Sequence, residues 1–599
     1  MRQDRLALEA GLRADSRHMN LASISLSIWK HLSRRRRIQV VLLFILMLVN
    51  SVTEAISLAM LLPFLAVIVA PEKFFSNPLM VSVASALGLK LDHSLLSESF
   101  GIALGVAFVV AVAISGLIRL LVIWITIHVG AKVASEFGAE AYRRALSQPY
   151  RFHIDQNSSE LIAAITNKIG RVINGGLFPV LALFSGVITI CALLSTLLII
   201  DFGRIVILGG FLLGAYVVIA VASNAVLKRN SVRIAREQTR VLKALQEGIG
   251  SIRDVLLGGY QDWYAKAYAD SDRALQRALG LNSFIAQSPR VFIEVLGIAV
   301  LVAVALLIVS SDRSAAVVIP VLGTLVLGAQ RLLPAFQQVY HSIVTIRGNA
   351  ASIYDGLAFL DLTIVERMND PVPFFNAVEF YGVSYRYSSA GPWILRNVSL
   401  TIAKGRRIGV VGRSGAGKST FLDILMGLLA PSRGALLVDD QEISSSNIAS
   451  WQRQIAHVPQ HVFLCDASIS ENIAFGVEPA TIDMDRVRRA AKQAQLLDFI
   501  ESIPEGFATV IGERGARLSG GQRQRIGIAR ALYRDASILV LDEATSALDE
   551  STERALLTNL FRSLPEITIV LVTHRLNMVK TCDLVLELKN GELSSESRA

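Results

Sequence analysis

Cysteine is nearly missing from this chain, and charge is missing from long stretches of its first half. Three cysteines occur among 599 residues, Cys191, Cys465 and Cys582. They lie too far apart in sequence for a disulfide framework or a zinc-ligand cluster. Aromatic residues make up only 7%, which speaks against a pocket that holds flat molecules by stacking. Proline is absent from 131–171 except for Pro149, and from 228–290 except for Pro289, so long helices can run through both. Acidic residues are the minority charge, 49 against 59 basic. Such an excess suits nucleic acid, but the basic residues gather on particular connections between apolar runs, which points to anionic lipid headgroups. No nucleic-acid partner is expected.

What is there falls into two kinds of sequence. From about Asp370 the chain alternates strand and helix patterns like a soluble α/β domain. Before that it carries apolar runs long enough to cross a bilayer, which takes about 20 residues at roughly 1.5 Å each. Six stretches qualify: Ile38–Leu62, Gly101–Val129, Leu177–Ile200, Ile205–Leu227, Val291–Ser310 and Ala315–Tyr340. The expected division is a basic segment 1–37, a membrane domain 38–345, a linker 346–373 and a soluble domain 374–595.

Lysine and arginine set the orientation. Residues 131–171 hold six of them and 228–290 hold eleven, whereas the other connections hold only Lys73, Lys90, Arg204 and Arg313. The two long connections, the arginine run His31–Arg37 and the C-terminal domain are therefore expected on the cytoplasmic side of a multi-pass protein of the cell (inner) membrane. The apolar run behind those arginines is too long for a secretory or twin-arginine signal, so no cleavage is expected. Both long connections are rich in helix formers, and their breakers lie near the middle: "QPYRF" around Tyr150, and "LGGYQDW" around Gly258 and Gly259. Each reads as a helical hairpin reaching from the membrane, with a short tip placed to press on the soluble domain.

"RIGVVGRSGAGKST", Arg407–Thr420, begins as a β-branched strand, breaks into glycines and opens a helix. That is the context in which G-x-x-x-x-G-K-[ST] cradles phosphate: backbone N–H groups meet the oxygens, Lys418 reaches the β and γ phosphates, and the Ser419 hydroxyl meets Mg²⁺. "ASILVLDEATSALD", Ala536–Asp549, is a buried strand ending in two carboxylates. Asp542 suits the Mg²⁺ shell, and Glu543 can take the proton of an attacking water, or else merely cap the following turn. Gln460 and His574 at strand ends carry little meaning singly.

Taken in order, these motifs resemble the nucleotide-binding domain of ABC transporters along its whole length. The resemblance implies ATP and Mg²⁺ as ligands. It implies nucleotide contacts from Gly412, Ser414, Gly415, Ala416, Gly417, Lys418, Ser419 and Thr420, and adenine stacking by Tyr387. Gln460 becomes a catalytic and metal-shell glutamine beside Ser419 and Asp542, Glu543 the general base, and His574 the switch histidine. Thr509–Gly515, "TVIGERG", resembles the loop by which exporter cassettes touch the membrane hairpins. In that family the signature turn, here Ser519, Gly520, Gly521 and Gln522, caps a phosphate held by another subunit, which implies a homodimer with two complete sites.

The fusion of six spans and long hairpins ahead of one cassette resembles ABC exporters that work by alternating access. Within the spans, "EAISLAMLLPFLAV", "SPRVFIEVLGIAVLV" and "QRLLPAFQQVYHS" are similar to bacterial flippases for lipid-linked oligosaccharides of the protein glycosylation pathway. That likeness implies a lipid-linked glycan carried from the inner to the outer leaflet. Glu54, Arg119, Glu294 and Arg331 are ionisable residues inside the spans, which marks them as candidate substrate contacts or as internal ion pairs. An exporter of lipid A, drugs or peptides is the alternative cargo reading. An ATP-gated channel or regulatory receptor on the same scaffold is the alternative of another class.

Overall fold

The computed structural model describes residues 21–69, 95–156, 158–200, 202–309, 315–364 and 370–597. Most of the expected N-terminal segment, Lys73, Lys90 and Arg313 of the charge count, and residues 366–369 of the expected boundary lie outside them. The chain forms two compact units, one of residues 2–148 with 155–364 and the other of residues 149–154 with 365–599.

The first unit is all helix. Its elements are α1 (Leu21–His31), α2 (Arg34–Ala59), α3 (Leu61–Val69), α4 (Leu95–Leu146), α5 (Tyr150–Asp155, whose first residues join the other unit), α6 (Phe178–Ile200), α7 (Phe202–Gly250), α8 (Ile252–Gly258), α9 (Gln261–Val309) and α10 (Ala315–Asp361). Among the described residues four helical runs are long and apolar enough to cross a membrane: Arg34–Val69, Ile102–Leu146, Leu161–Ile199 and Gly209–Gly250. The expected fifth and sixth spans fall in α9 and α10, where part of the side chains lies outside the described residues.

Amphipathic spacing explains how these helices meet. On α2, Val40, Leu43, Met47, Asn50 and Ser51 recur three or four residues apart and are buried, the period of one helix face. Ser51 Oγ donates to Met47 O and pairs with Thr189 Oγ1 on α6, both at 3.0 Å. Between Ser158 and α6 the helical run loosens into π turns at Ala164–Lys168 and Val172–Leu177. Glycine is needed there for close approach: a Cβ on Gly175 would stand 2.9 Å from Asn349 Cβ of α10.

Both expected hairpin breaks are present. The first follows Leu146, with Pro149 ahead of α5. The second follows α8, where Gly259 adopts a left-handed φ of 66° and Tyr260 N–H returns to Val255 O at 2.9 Å. The linker expected from 346 is corrected, because α10 continues to Asp361. Ile346, Ala350, Ile353, Leu357 and Leu360 stay buried at helical spacing, so packing carries the helix past its apolar span.

The second unit holds two sheets. Strands β1 (Ala377–Tyr385), β2 (Leu395–Ala403), β4 (Arg433–Val438) and β5 (Gln441–Glu442) form an antiparallel sheet in the order β2-β1-β4-β5. The other sheet runs β10-β9-β3-β8-β7-β6, built from β3 (Arg407–Gly412), β6 (Ile455–Val458), β7 (Ile538–Asp542), β8 (Thr568–Val572), β9 (Leu584–Lys589) and β10 (Glu592–Ser597). Strands β9, β3, β8, β7 and β6 are mutually parallel. The central strands β7 and β8 are predominantly apolar, and in "TIVLV" every residue is buried, as expected of parallel strands covered on both faces.

Candidate functional site

In an open parallel sheet, ligands gather at the carboxyl ends of the strands. Here four neighbouring strands each deliver one expected group there. The phosphate loop follows β3, His574 follows β8, Asp542 and Glu543 end β7, and Gln460 follows β6. The topology thus collects residues that stand more than a hundred positions apart in sequence.

The loop after β3 ends at Gly417, which caps helix α11 (Lys418–Leu425) at φ 101°, a conformation that a side chain disfavours. A Cβ there would also press on Ile394 O at 3.1 Å. Lys418 is buried, and its Nζ donates to Gly412 O at 2.8 Å and Arg413 O at 3.3 Å. A buried ammonium whose hydrogen bonds go only to carbonyls, at a helix start lined with N–H groups, is matched to an anion. At the other end of α11, Trp451 Nε1 donates to Leu425 O at 2.8 Å and closes the helix.

Glu543 sits at a left-handed φ of 50°, a strained setting for a non-glycine residue that often marks function. Its carboxylate is held from both sides. Gln460 Nε2 donates to Oε2 at 2.8 Å, and His574 Nε2 lies 2.7 Å from Oε1. Burial holds the Asp542 carboxyl above its ordinary range, Glu543 adds to the effect and Lys418 opposes it. Asp423 on α11, not singled out in the sequence, is pushed up to about 6 by burial first and then by Asp542. Ser419 Oγ and the Asp542 carboxylate are hard oxygen donors, and the Gln460 side-chain oxygen makes no hydrogen bond among the described residues. That donor chemistry fits Mg²⁺.

Tyr387 lies beside α11, with its hydroxyl 3.2 Å from Thr420 Oγ1 and its ring edge-on to Tyr385. Its carbonyl accepts from Arg151 Nη2 at 2.9 Å, a contact inside the second unit that ties the first hairpin tip to the rim of the nucleotide site. The signature turn starts helix α12 (Gly520–Tyr533) through a capping box: Gln522 N–H donates to Ser519 Oγ at 3.2 Å and Ser519 N–H to Gln522 Oε1 at 2.8 Å. Gln524 on the same helix holds Ser546 Oγ at 3.1 Å and Ala547 N at 3.0 Å. Among the described residues neither Ser519 nor Gln522 reaches the phosphate loop of its own chain.

Sequence reasoning missed the support behind this turn. Glu553 is 1% exposed and accepts from Thr545 Oγ1 at 2.6 Å and from Arg575. Arg575 also donates to Leu548 O at 3.2 Å and Ser546 O at 3.4 Å. The residue after His574 therefore fixes the "SALD" backbone to a buried carboxylate. A lone arginine in "THRL" gives no hint of that.

In the helical unit a cavity of about 780 Å³ is walled by α2, α4, α6 and α10. Glu54, Arg119 and Arg331 all line it. Arg331 is half-buried and engaged, donating to Glu54 O at 3.1 Å and Ser57 Oγ at 2.5 Å. Among the described residues Arg119 has no hydrogen bond or ion pair, and no salt bridge joins either arginine to the Glu54 carboxylate. Asn50, 5% exposed, donates to Glu54 Oε1 at 3.4 Å while its own Oδ1 has no partner. Glu294 does not join this cavity. It is exposed on α9 between Phe292 and Val295, one position round from fully buried Ile293, so the helix turns it away from the packed face.

A membrane-helix unit fused to a phosphate-loop nucleotide domain defines the class of the chain. Residues 395–546 match the family described as ABC transporter, and residues 40–330 match its transmembrane region. The chain belongs to the ABC transporters and joins one transmembrane region to one ABC domain. It is 29% identical to a protein named ATP-dependent lipid A-core flippase from Alkalilimnicola ehrlichii over 476 residues, 78% of this chain and 79% of the relative. It is 42% identical to alpha-hemolysin translocation ATP-binding protein HlyB from Escherichia coli O157:H7 over 219 residues, 37% of this chain. The chain spans 37% and 31% of the lengths of the relatives that it matches at 42% identity. The structure of a bacterial Atm1-family ABC exporter with ATP bound shares the fold, with a TM-score of 0.76 at 24% identity over 94% of this chain and 95% of that one.

Proposed function

We propose that two copies of this chain form an ATP-hydrolysing flippase that carries a phosphorylated glycolipid from the inner to the outer leaflet of the cell membrane. One observation carries the cargo reading: a large cavity among the membrane helices is lined both by Arg119, which has no hydrogen bond or ion pair among the described residues, and by Asn50, whose Oδ1 has no partner among them. An anionic group satisfies the first and a hydroxyl or amide donor the second. A phosphate-linked sugar offers both. A lipid-linked oligosaccharide and a lipid A core share that chemistry, and the name of the Alkalilimnicola relative supports the second. The hemolysin relative supports a peptide cargo, which does not explain an unpaired cation.

In the nucleotide half, Lys418 and the loop N–H groups bind and orient phosphate. Glu543, positioned by Gln460 and His574, takes a proton from the attacking water at its carboxylate. Ser419, Asp542 and Gln460 would hold Mg²⁺, which would supply neutralisation of phosphate charge when bound. Tyr387 stacks on the adenine. Ser519, Gly520, Gly521 and Gln522 complete the site of the second copy, and domain closure drives alternating access, with the N-terminus and cassettes cytoplasmic. A channel or regulatory receptor has no use for a base held so closely, so the intact Glu543 triad favours a pump.

The test is reconstitution in liposomes with three separate additions: a polyprenyl-pyrophosphate-linked glycan, lipid A core, and a cationic dye. A rise in ATP hydrolysis with either glycolipid is the expected result and tells the two apart. Stimulation by the dye alone removes the glycolipid reading. Turnover that stays proportional to protein in a strict monomer removes the shared site.

A further inference from the structure

Two opposite charges inside the apolar runs find no partner in their own chain. Glu294 is exposed on α9 beside exposed Val291, Phe292, Val295 and Ile298. A carboxylate among apolar residues of a span costs free energy until a cation or a proton answers it. Arg290, one turn earlier on the same helix, makes no ion pair with it, and among the described residues neither does any other cation. Arg119 on α4 is also exposed, lines the large cavity and has no hydrogen bond or ion pair among the described residues.

The two charges stand at a common depth. Tyr340 Oη of α10 donates to Ile285 O of α9 at 3.0 Å, and Asn282 Nδ2 of α9 donates to Gly348 O of α10 at 3.4 Å. Residue numbers fall on α9 as they rise on α10, so the two helices are antiparallel and the Ile285–Tyr340 contact marks a shared level. From that level Glu294 lies nine residues along α9 and Arg331 nine residues back along α10, roughly 14 Å in the same direction at about 1.5 Å per residue. Ile293 and Leu332 are buried in one cluster, as that register requires. Arg331 lines the same cavity as Arg119, which puts Glu294 level with it. Burial of Ile293 turns Glu294 about 100° round the helix, so α9 keeps it out of the cavity of its own chain.

We infer that Glu294 of one copy pairs with Arg119 of the second copy, as the counter-ion of the empty cavity that the anionic group of the cargo displaces. This pair rests on the two-copy glycolipid reading above and adds a residue of the other copy to its site. A two-fold arrangement makes both pairs at once, since each copy offers what the other receives. Opposed signs at one depth select this occupant: an acyl chain on the face of α9 leaves the carboxylate unanswered, and an anionic headgroup repels it. An ion pair at the edge of a wide cavity is weak, and a phosphate can engage the guanidinium through two oxygens, so the carboxylate yields to cargo and returns after release.

The test co-expresses two differently tagged full-length copies in which Cys191, Cys465 and Cys582 are replaced by serine, one carrying R119C and the other E294C. Oxidation by copper phenanthroline in proteoliposomes is expected to join the two tags in one band, whereas R119C in both copies, or E294C in both, gives none. Native mass spectrometry of the unsubstituted chain reads whether copies pair at all. Paired copies with no mixed-tag band overturn the ion pair; an unpaired chain overturns the two-copy reading and the ion pair with it. A second arm measures ATP hydrolysis against added lipid A core or lipid-linked glycan. E294Q removes the competing carboxylate and is expected to lower the half-maximal glycolipid concentration about fivefold, the worth of a partly exposed ion pair, whereas E294D keeps the native value. In the R119Q background E294Q is expected to change nothing. An equal shift in both backgrounds overturns the exchange. Absence of stimulation by either glycolipid in every form overturns the cargo reading and the displacement step, while the cross-link still decides the pair.

Discussion

The two halves of this chain treat charge in opposite ways. In the cassette, two carboxylates are each gripped by neighbours: Glu543 by Gln460 and His574, Glu553 by Arg575 and Thr545. In the helical half, Arg331 is answered by a carbonyl and a hydroxyl of α2, while Arg119 and the Asn50 oxygen line a cavity and have no partner among the described residues. A catalytic centre for a fixed reaction gains from preorganised partners. A site that must take up and release a ligand keeps its partners for that ligand. Unpaired polar groups in the membrane half are thus the counterpart of paired ones in the cassette.

The strongest way to break this contrast is at its best-paired residue. Glu543→Gln is expected to lower ATP hydrolysis by about 10²–10⁴-fold while fluorescent ATP analogue binding persists. Hydrolysis within a few-fold of the native rate would remove Glu543 as base. Next comes the buried pair behind the signature turn. Arg575→Met leaves Glu553 buried without its cation and is expected to cost the cassette about 3 kcal/mol, visible in urea unfolding; an unchanged midpoint would show that the pair does not hold the turn.

Within the membrane half the contrast predicts that two arginines in one cavity behave differently. Arg331→Gln loses charge-assisted bonds to Glu54 O and Ser57 and should destabilise the helical unit by about 2 kcal/mol, read as a lower melting temperature. Arg119→Gln should leave melting unchanged, yet raise about tenfold the glycolipid concentration needed for half-maximal stimulation, which corresponds to ~1.4 kcal/mol. Equal thermal shifts in both variants would erase the distinction between strut and contact. The smallest effect concerns His457 on β6, whose ring burial lowers its pKa from 6.5 to about 4. The unfolded chain therefore takes up a proton first, and stability fully present above pH 6.5 is lost as pH falls toward 4. His457→Gln should flatten that slope, and an identical slope in the variant would place its origin elsewhere.

Much of the cassette was legible in residue order because phosphate chemistry demands particular atoms: Gly417 for its left-handed turn, Lys418 for charge, and carboxylates at a strand end. The hairpin breaks at Pro149 and Gly259 were legible for a similar local reason, since proline and glycine act on their own backbone. The end of α10 was not, because burial of Ile353 and Leu357 depends on neighbours far away in sequence. Glu294 and Glu54 looked alike as lone carboxylates in apolar runs, and nothing local separates them.

By itself the sequence determined a membrane-helix half joined to an ABC cassette, together with the order of the motifs from which a nucleotide site is proposed. These follow from local spacing, strand-to-helix order and the chemistry of single residues. Only the tertiary structure decided that Gln460 and His574 grip Glu543, that Arg575 anchors Glu553, that Arg331 is engaged while Arg119 is open, and that Glu294 faces away. Those are differences in partner, and partners are set by which helices and strands pack side by side, a long-range property that no window of sequence contains.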